Sequence, residues 1–181
     1  MKKLLFVSII LGLVACNAAK LNRLKTCEFK YTGIENVVIS GKNLDELRKE
    51  KKTPNSGLSV LGSLLFDKEV PVSFNVKISV TNPNKKKAAL DKMEWTALIQ
   101  GKELISGIYN DHFEVKPGET AVLTVPVNFD LKEKMSGENA SALKSLGMGF
   151  MLNGNAKGLS FKIRPYVGGI KFPAAFEVKP F

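Results

Sequence analysis

Two cysteines, one histidine and a run of three lysines are the side chains of this sequence with the plainest chemical capacity. Cys16 follows Leu13, Val14 and Ala15, residues small or apolar enough for an extended backbone to enter a peptidase, and its thiol is a nucleophile able to form a thioether. Cys27 lies in phase with Phe29 and Tyr31 and opposite Glu28, Lys30 and Thr32. It reads as a small buried hydrophobe, with a reactive or dimerising thiol as the alternative. His112 has Asp111 beside it but no second histidine or cysteine nearby, so a metal site lacks ligands. A nucleophile elbow of the G-x-S-x-G kind is missing, and Gly154 to Gly158 lacks the Lys-Ser/Thr pair of a phosphate loop. The expectation is therefore no catalytic residue, no metal and no cofactor, with His112 a loop histidine. Lys85, Lys86 and Lys87 could touch anionic lipid head groups. Their alternative role is a solvated loop tip that keeps a sheet edge from pairing.

The setting of Cys16 says more. Lys2 and Lys3 form a positive start, and Leu4 to Leu13 form an apolar run. A bilayer span needs about 20 apolar residues, so the run has signal-peptide rather than membrane-spanning length. Leu13-Val14-Ala15-Cys16 resembles the lipobox of bacterial lipoproteins. That resemblance implies a signal peptide over residues 1–15, with Cys16 as first mature residue, carrying a diacylglyceryl group and an N-acyl chain such as palmitate. Several acyl chains exceed what stable anchoring needs, at about 0.8 kcal/mol per buried methylene. The alternative is an ordinary secreted protein in which Cys16 is incidental. Asn17 differs from the aspartate of an inner-membrane retention signal, which points to the outer membrane with the domain facing the periplasm.

The elements that must position these residues read as strands. Val72, Phe74, Val76, Ile78 and Val80 alternate with polar residues; so do Ala121, Leu123, Val125, Val127 and Phe129, and Leu159, Phe161, Ile163 and Val167. Pro126 marks an edge or a bulge. Shorter candidates lie at 27–32, 36–40, 94–100, 103–108, 148–153 and 172–179. Gly101-Lys102 reads as a hairpin turn and Pro117-Gly118 as a turn before the 120–129 strand. One-sided alternation in many short strands predicts an all-β antiparallel sandwich. One short helix is expected after Asp130, which can cap a first turn with Glu133 three residues on. Residues 42–57 read as a charged loop or a solvated helical turn, and 58–66 is ambiguous between strand and helix. The organisation expected is a leader over 1–15, a lipid-anchored tether over 16–26 and one domain over 27–181.

After the cleanest strand comes Asn82-Pro83-Asn84, where Pro83 fixes φ and the two amides can bond nearby backbone, a chain reversal. The stretch VSFNVKISVTNPN, then WTALIQGKEL, resembles the type 2 late-embryogenesis-abundant family, or WHy domain, over about residues 70–173. The resemblance implies a fibronectin- or immunoglobulin-like sandwich with one short helix, no catalytic residues, and an association with desiccation, osmotic or envelope stress.

The net charge of +10 could favour anionic lipid head groups, acidic polysaccharide or nucleic acid, but it is spread along the chain without a stripe, which argues for solubility alone. Trp95 and the phenylalanines lie in strand phase as core residues. The functional expectation is a non-catalytic, membrane-anchored envelope lipoprotein serving stress protection or binding an envelope protein partner. The alternative is a periplasmic lipid- or glycan-binding protein, motivated by the apolar 58–66 segment.

Overall fold

The computed structural model describes residues 20, 22–44, 46, 67–135, 140, 141, 143 and 158–178. Among them the chain forms eleven strands, a helical turn at residues 22–25 and a short helix after the eighth strand. The first four strands are β1 (Glu28–Ile39), β2 (Lys42–Asn43), β3 (Pro71–Thr81) and β4 (Ala88–Leu90). Next come β5 (Lys92–Ile99), β6 (Lys102–Tyr109), β7 (Phe113–Val115), β8 (Thr120–Asp130) and the helix α1 (Leu131–Met135). The series closes with β9 (Leu159–Val167), β10 (Ile170–Lys171) and β11 (Phe176–Val178).

Alternation decides how these strands assemble, because side chains of successive residues leave a strand on opposite faces. In β3, Val72, Val76, Ile78 and Val80 are buried; in β8, Leu123, Val125 and Val127 are. They share one face because the two strands pair without a slip, from Pro71↔Asp130 to Thr81↔Thr120. The first sheet runs β2-β1-β3-β8 and the second β10-β9-β5-β6, with β11 also on β9. All pairings are antiparallel. Met93, Trp95 and Ala97 of β5 and Phe161 and Ile163 of β9 meet Ile78, Val80 and Leu123 of the first sheet in one core cluster. The architecture is an all-β antiparallel sandwich of the fibronectin/immunoglobulin kind with small helical segments at 22–25 and 131–135.

Where elements differ from their sequence reading, backbone conformation is the reason. The segments 27–32 and 36–40 are one strand, β1, broken by bulges between Tyr31 and Gly33 and between Glu35 and Val38. Asn36, at φ 54°, takes up the second irregularity. The β5–β6 turn is Gln100-Gly101, one residue earlier than Gly101-Lys102. Both residues have positive φ (51° and 80°), the requirement of a two-residue turn that follows strand twist. Pro126 lies on β8, an edge strand of its sheet, where its missing N–H costs no ladder bond. Asp130 caps α1 as expected, accepting the Glu133 N–H at 2.9 Å. The segments 58–66 and 148–153, and the helix stretch 136–139, lie outside the described residues, as does Cys16.

Strand order gives the sandwich two distinct poles. One collects the start of β1, the end of β3 and the start of β8, paired as Glu28↔Thr81↔Thr120, with Lys92↔Tyr166 and Met93↔Tyr109 in the other sheet. The opposite pole collects Ile39, Val72, the β5–β6 turn and α1; there Leu131 and Met135 pack on Ile99, Leu104 and Leu143.

Candidate functional site

Asn82, Asn84, Cys27, the three lysines and His112, singled out by sequence, converge on the first pole. Asn82 directly follows β3 and is completely buried. Its backbone continues the strand pairing, with its N–H donating to Glu119 O at 2.9 Å and its carbonyl accepting from Gly118 N at 2.9 Å. The side-chain amide then reaches across the pole. Nδ2 lies 3.0 Å from Lys86 O, 3.0 Å from Val115 O and 3.1 Å from Lys116 O. Two N–H groups are thus shared among three carbonyls. Oδ1 accepts from Asn84 N at 3.0 Å and Asn84 Nδ2 at 2.6 Å. A buried amide with every group partnered stabilises its surroundings; the same amide half-satisfied would not.

Asn84 extends the network to the segment before β1. Its Nδ2 donates to Arg23 O at 2.9 Å, and Thr26 Oγ1 lies 2.9 Å from both Asn84 Oδ1 and Arg23 O. The Cys27 thiol donates to Arg23 O at 3.3 Å, with Asn82 Oδ1 at 3.8 Å. Cys27 is buried and burial pushes its thiol up from its ordinary range, so it is held as a small core residue rather than a nucleophile. Leu24 is 1% exposed and belongs to the main core cluster. Residues 22–25 form a helical turn, and 22–26, which the sequence reading placed in the tether, are part of the folded body. Apolar burial of Leu24 is what draws them in.

A second, exposed group sits at the same pole. Asp91 lies between β4 and β5, and its Oδ2 accepts the Gly168 N–H at 2.8 Å. Its Oδ1 is 3.1 Å from His112 Nδ1, and His112 Nε2 is 3.7 Å from Glu114 Oε2. The Gly168 N–H first, then His112, and with them the charge of Lys20, hold the Asp91 carboxyl below its ordinary range. Lys87 Nζ donates to Glu114 Oε2 at 2.7 Å and lowers that carboxyl. Beside them Glu94 accepts from Lys171 at 2.7–2.8 Å and from the Tyr166 hydroxyl. His112 is therefore a loop histidine bracketed by two carboxylates. No group of three metal-competent side chains occurs among the described residues.

Of the three lysines, Lys87 is committed to Glu114, whereas Lys85 and Lys86 are exposed and bear no ion pair among the described residues. Trp95 is 6% exposed, a core residue stacked over Gly107 rather than a base-stacking platform. Sequence reasoning treated the Asn82 and Asn84 amides as partners of nearby backbone. Their contacts to Val115, Lys116 and Arg23 span from 33 to 61 residues, and no local signal carries them.

A family model described as late embryogenesis abundant protein matches residues 77–172. Among solved structures, a protein from Archaeoglobus fulgidus is similar over 82% of this chain and 92% of its own, at 13% identity and a TM-score of 0.39. The solution structure of a protein assigned to the late embryogenesis abundant class is similar over 99% of this chain and 85% of its own, at 16% identity and a TM-score of 0.40. No curated protein matches the chain. The sandwich itself rests on the strand pairings given above.

Proposed function

The chain belongs to the type 2 late-embryogenesis-abundant family, and on that premise we propose that it is a non-catalytic module of the bacterial cell envelope, anchored through a lipid on Cys16. The family is generally non-catalytic. One observation carries the reading: Asn82 and Asn84, the residues that distinguish the motif, spend their side-chain amides on this chain's own backbone carbonyls, on each other and on Thr26, bracing the segment that leads from Cys16 into the sandwich. The motif is architecture at the point of attachment. Its role is to hold the domain firmly at the end of a short tether, at the outer membrane and facing the periplasm. There it serves desiccation or osmotic stress tolerance, or engages an envelope protein partner.

Three strains test this: wild type, a strain lacking the gene, and Cys16→Ala. The expected result is membrane fractionation of the wild-type protein, release of Cys16→Ala in folded form, and reduced survival of drying or hyperosmotic shock in both altered strains. Equal survival of all three would sink the stress role. Native mass spectrometry of the gently purified protein addresses the alternative, a lipid- or glycan-binding protein; a reproducible adduct of lipid or glycan mass would favour it over the module reading.

A further inference from the structure

The asparagine network has a consequence for charge. Nδ2 of Asn82 lies within 3.1 Å of the carbonyls of both Lys86 and Lys116, so two separate lysine-bearing loops are held against one atom. Asn84, two residues on, holds the backbone of Arg23 and the hydroxyl of Thr26, which fixes Lys25 between them. Three stretches distant in sequence are thereby brought to one pole, and each presents an exposed ammonium: Lys25, Lys85 with Lys86, and Lys116. None of the four has an ion pair among the described residues, unlike Lys87 and Lys171 at the same pole. Arg23 adds a half-buried guanidinium whose Nε has no partner. The carboxylates of Asp91, Glu94 and Glu114 at this pole are already engaged. Glu28, Asp111 and Glu119 are the exposed acids left to oppose the lysines.

The tether decides what this pole faces. Lys20 stands close enough to Asp91 for its charge to be felt there. Between Cys16 and Lys20 the chain can span at most about 14 Å fully extended. The electrostatic screening length is about 8–10 Å at physiological ionic strength. A lipid on Cys16 would therefore leave the pole within one or two screening lengths of the bilayer surface.

We propose that Lys25, Lys85, Lys86 and Lys116, gathered by the Asn82–Asn84 network, form a membrane-facing surface that binds anionic lipid head groups. This rests on the lipid-anchor reading for its geometry, and it gives the anchored domain a preferred upright orientation. A single acyl-linked residue permits free swivelling; a second, electrostatic attachment beside it does not.

The test is lysine footprinting of the full protein purified from membranes and reconstituted into vesicles. One set of vesicles is phosphatidylcholine alone, and the other an equal mixture with phosphatidylglycerol. Amines are acylated briefly, and the digest is read by mass spectrometry. The expected result is protection of Lys25, Lys85, Lys86 and Lys116 in the anionic vesicles only. The drop in modification is about fivefold for each lysine, the equivalent of ~1 kcal/mol at an anionic surface. Protection disappears in about 1 M salt, where the screening length falls to about 3 Å. Lys42 and Lys68, exposed at the opposite pole, react equally in both vesicles. Equal protection of the four lysines in neutral and anionic vesicles would mean mere proximity and overturn the proposal, as would no protection in either. The peptide bearing Cys16 in the same digest reports acylation by its mass. An unmodified Cys16 with the lysine pattern intact defeats the anchor and leaves the head-group surface standing.

Discussion

At Asn82 the stakes of a single amide are set by burial. It is fully buried, and removing it leaves the carbonyls of Lys86, Val115 and Lys116 and the Asn84 N–H without their partner at once. Asn84 is half-buried, so water can replace much of what its side chain does. Asn82→Ala is accordingly expected to destabilise the domain by about 2–4 kcal/mol, against about 1 kcal/mol for Asn84→Ala. Urea denaturation of the two variants measures the contrast, and equal losses would remove Asn82 from the centre of the network. Gly107 presents a different constraint. It stands directly across from Trp95 in the β5–β6 ladder, and a Cβ there would fall 2.4 Å from Cζ2 and 2.7 Å from Cε2 of the indole. Gly107→Ala forces the buried ring off its position, with an expected cost of about 1–3 kcal/mol. Trp95 is the only tryptophan, so its fluorescence should shift in the folded variant and report the displacement directly.

The junction of β8 with α1 shows how one residue couples two elements, and it predicts a pH dependence. Asp130 ends β8, accepts the Glu133 N–H through Oδ1 and accepts the Val70 N–H through Oδ2 at 2.8 Å. The Glu133 bond first, then those from Val70 and Lys132, hold its carboxyl below the ordinary range. A carboxyl whose folded pKa is depressed contributes stability above its unfolded pKa, near 4, and loses it as pH falls through the folded value. Melting temperature should therefore drop below about pH 4 in the wild type. The drop should be smaller in Asp130→Asn, which cannot titrate; an unchanged acid limb in that variant would refute the assignment. The capping pattern behind this was legible in sequence, because Asp130 and Glu133 are neighbours on the chain. So were β3, β8 and β9, whose alternation reflects one face on the core. The short β4 and β7 were not, since three residues are too few to show a period and their pairing joins 88–90 to 113–115. The unity of β1 was hidden for a related reason: its two bulges shift the phase of the alternation midway. The site was legible in its residue types and illegible in its contacts, which depend on sheet topology bringing Arg23, Asn82 and Lys116 to one end.

For the whole molecule, the consequence of that topology is that the proposed attachment and the fold would share residues. Leu24, eight residues after Cys16 in sequence, is 1% exposed and part of the main core. Asn84 and Cys27 bind the Arg23 carbonyl on either side of it. Under the proposed anchoring, tension at the tether would be transmitted to β1, which pairs with β3 along its length, and to the network that organises the pole. A domain hung on an independent flexible linker would behave differently, since cutting the linker would leave its stability untouched. Two truncations separate the cases. A chain beginning at Leu21 keeps every hydrogen bond and core contact described here, losing only the charge of Lys20 near Asp91, and should unfold at nearly the same denaturant concentration as a chain beginning at Cys16. A chain beginning at Lys25 loses Leu24 and the Arg23 carbonyl, and the point variant Leu24→Ala loses the side chain alone. Leu24→Ala should cost about 2–4 kcal/mol, the range for a buried leucine whose site collapses only partly. The Lys25 truncation should cost at least as much, because the Asn84 amide and the Cys27 thiol lose their acceptor as well. If both proved as stable as the chain from Leu21, residues 22–26 would be a passive tether after all, and the coupling between anchor and sandwich would have no structural basis.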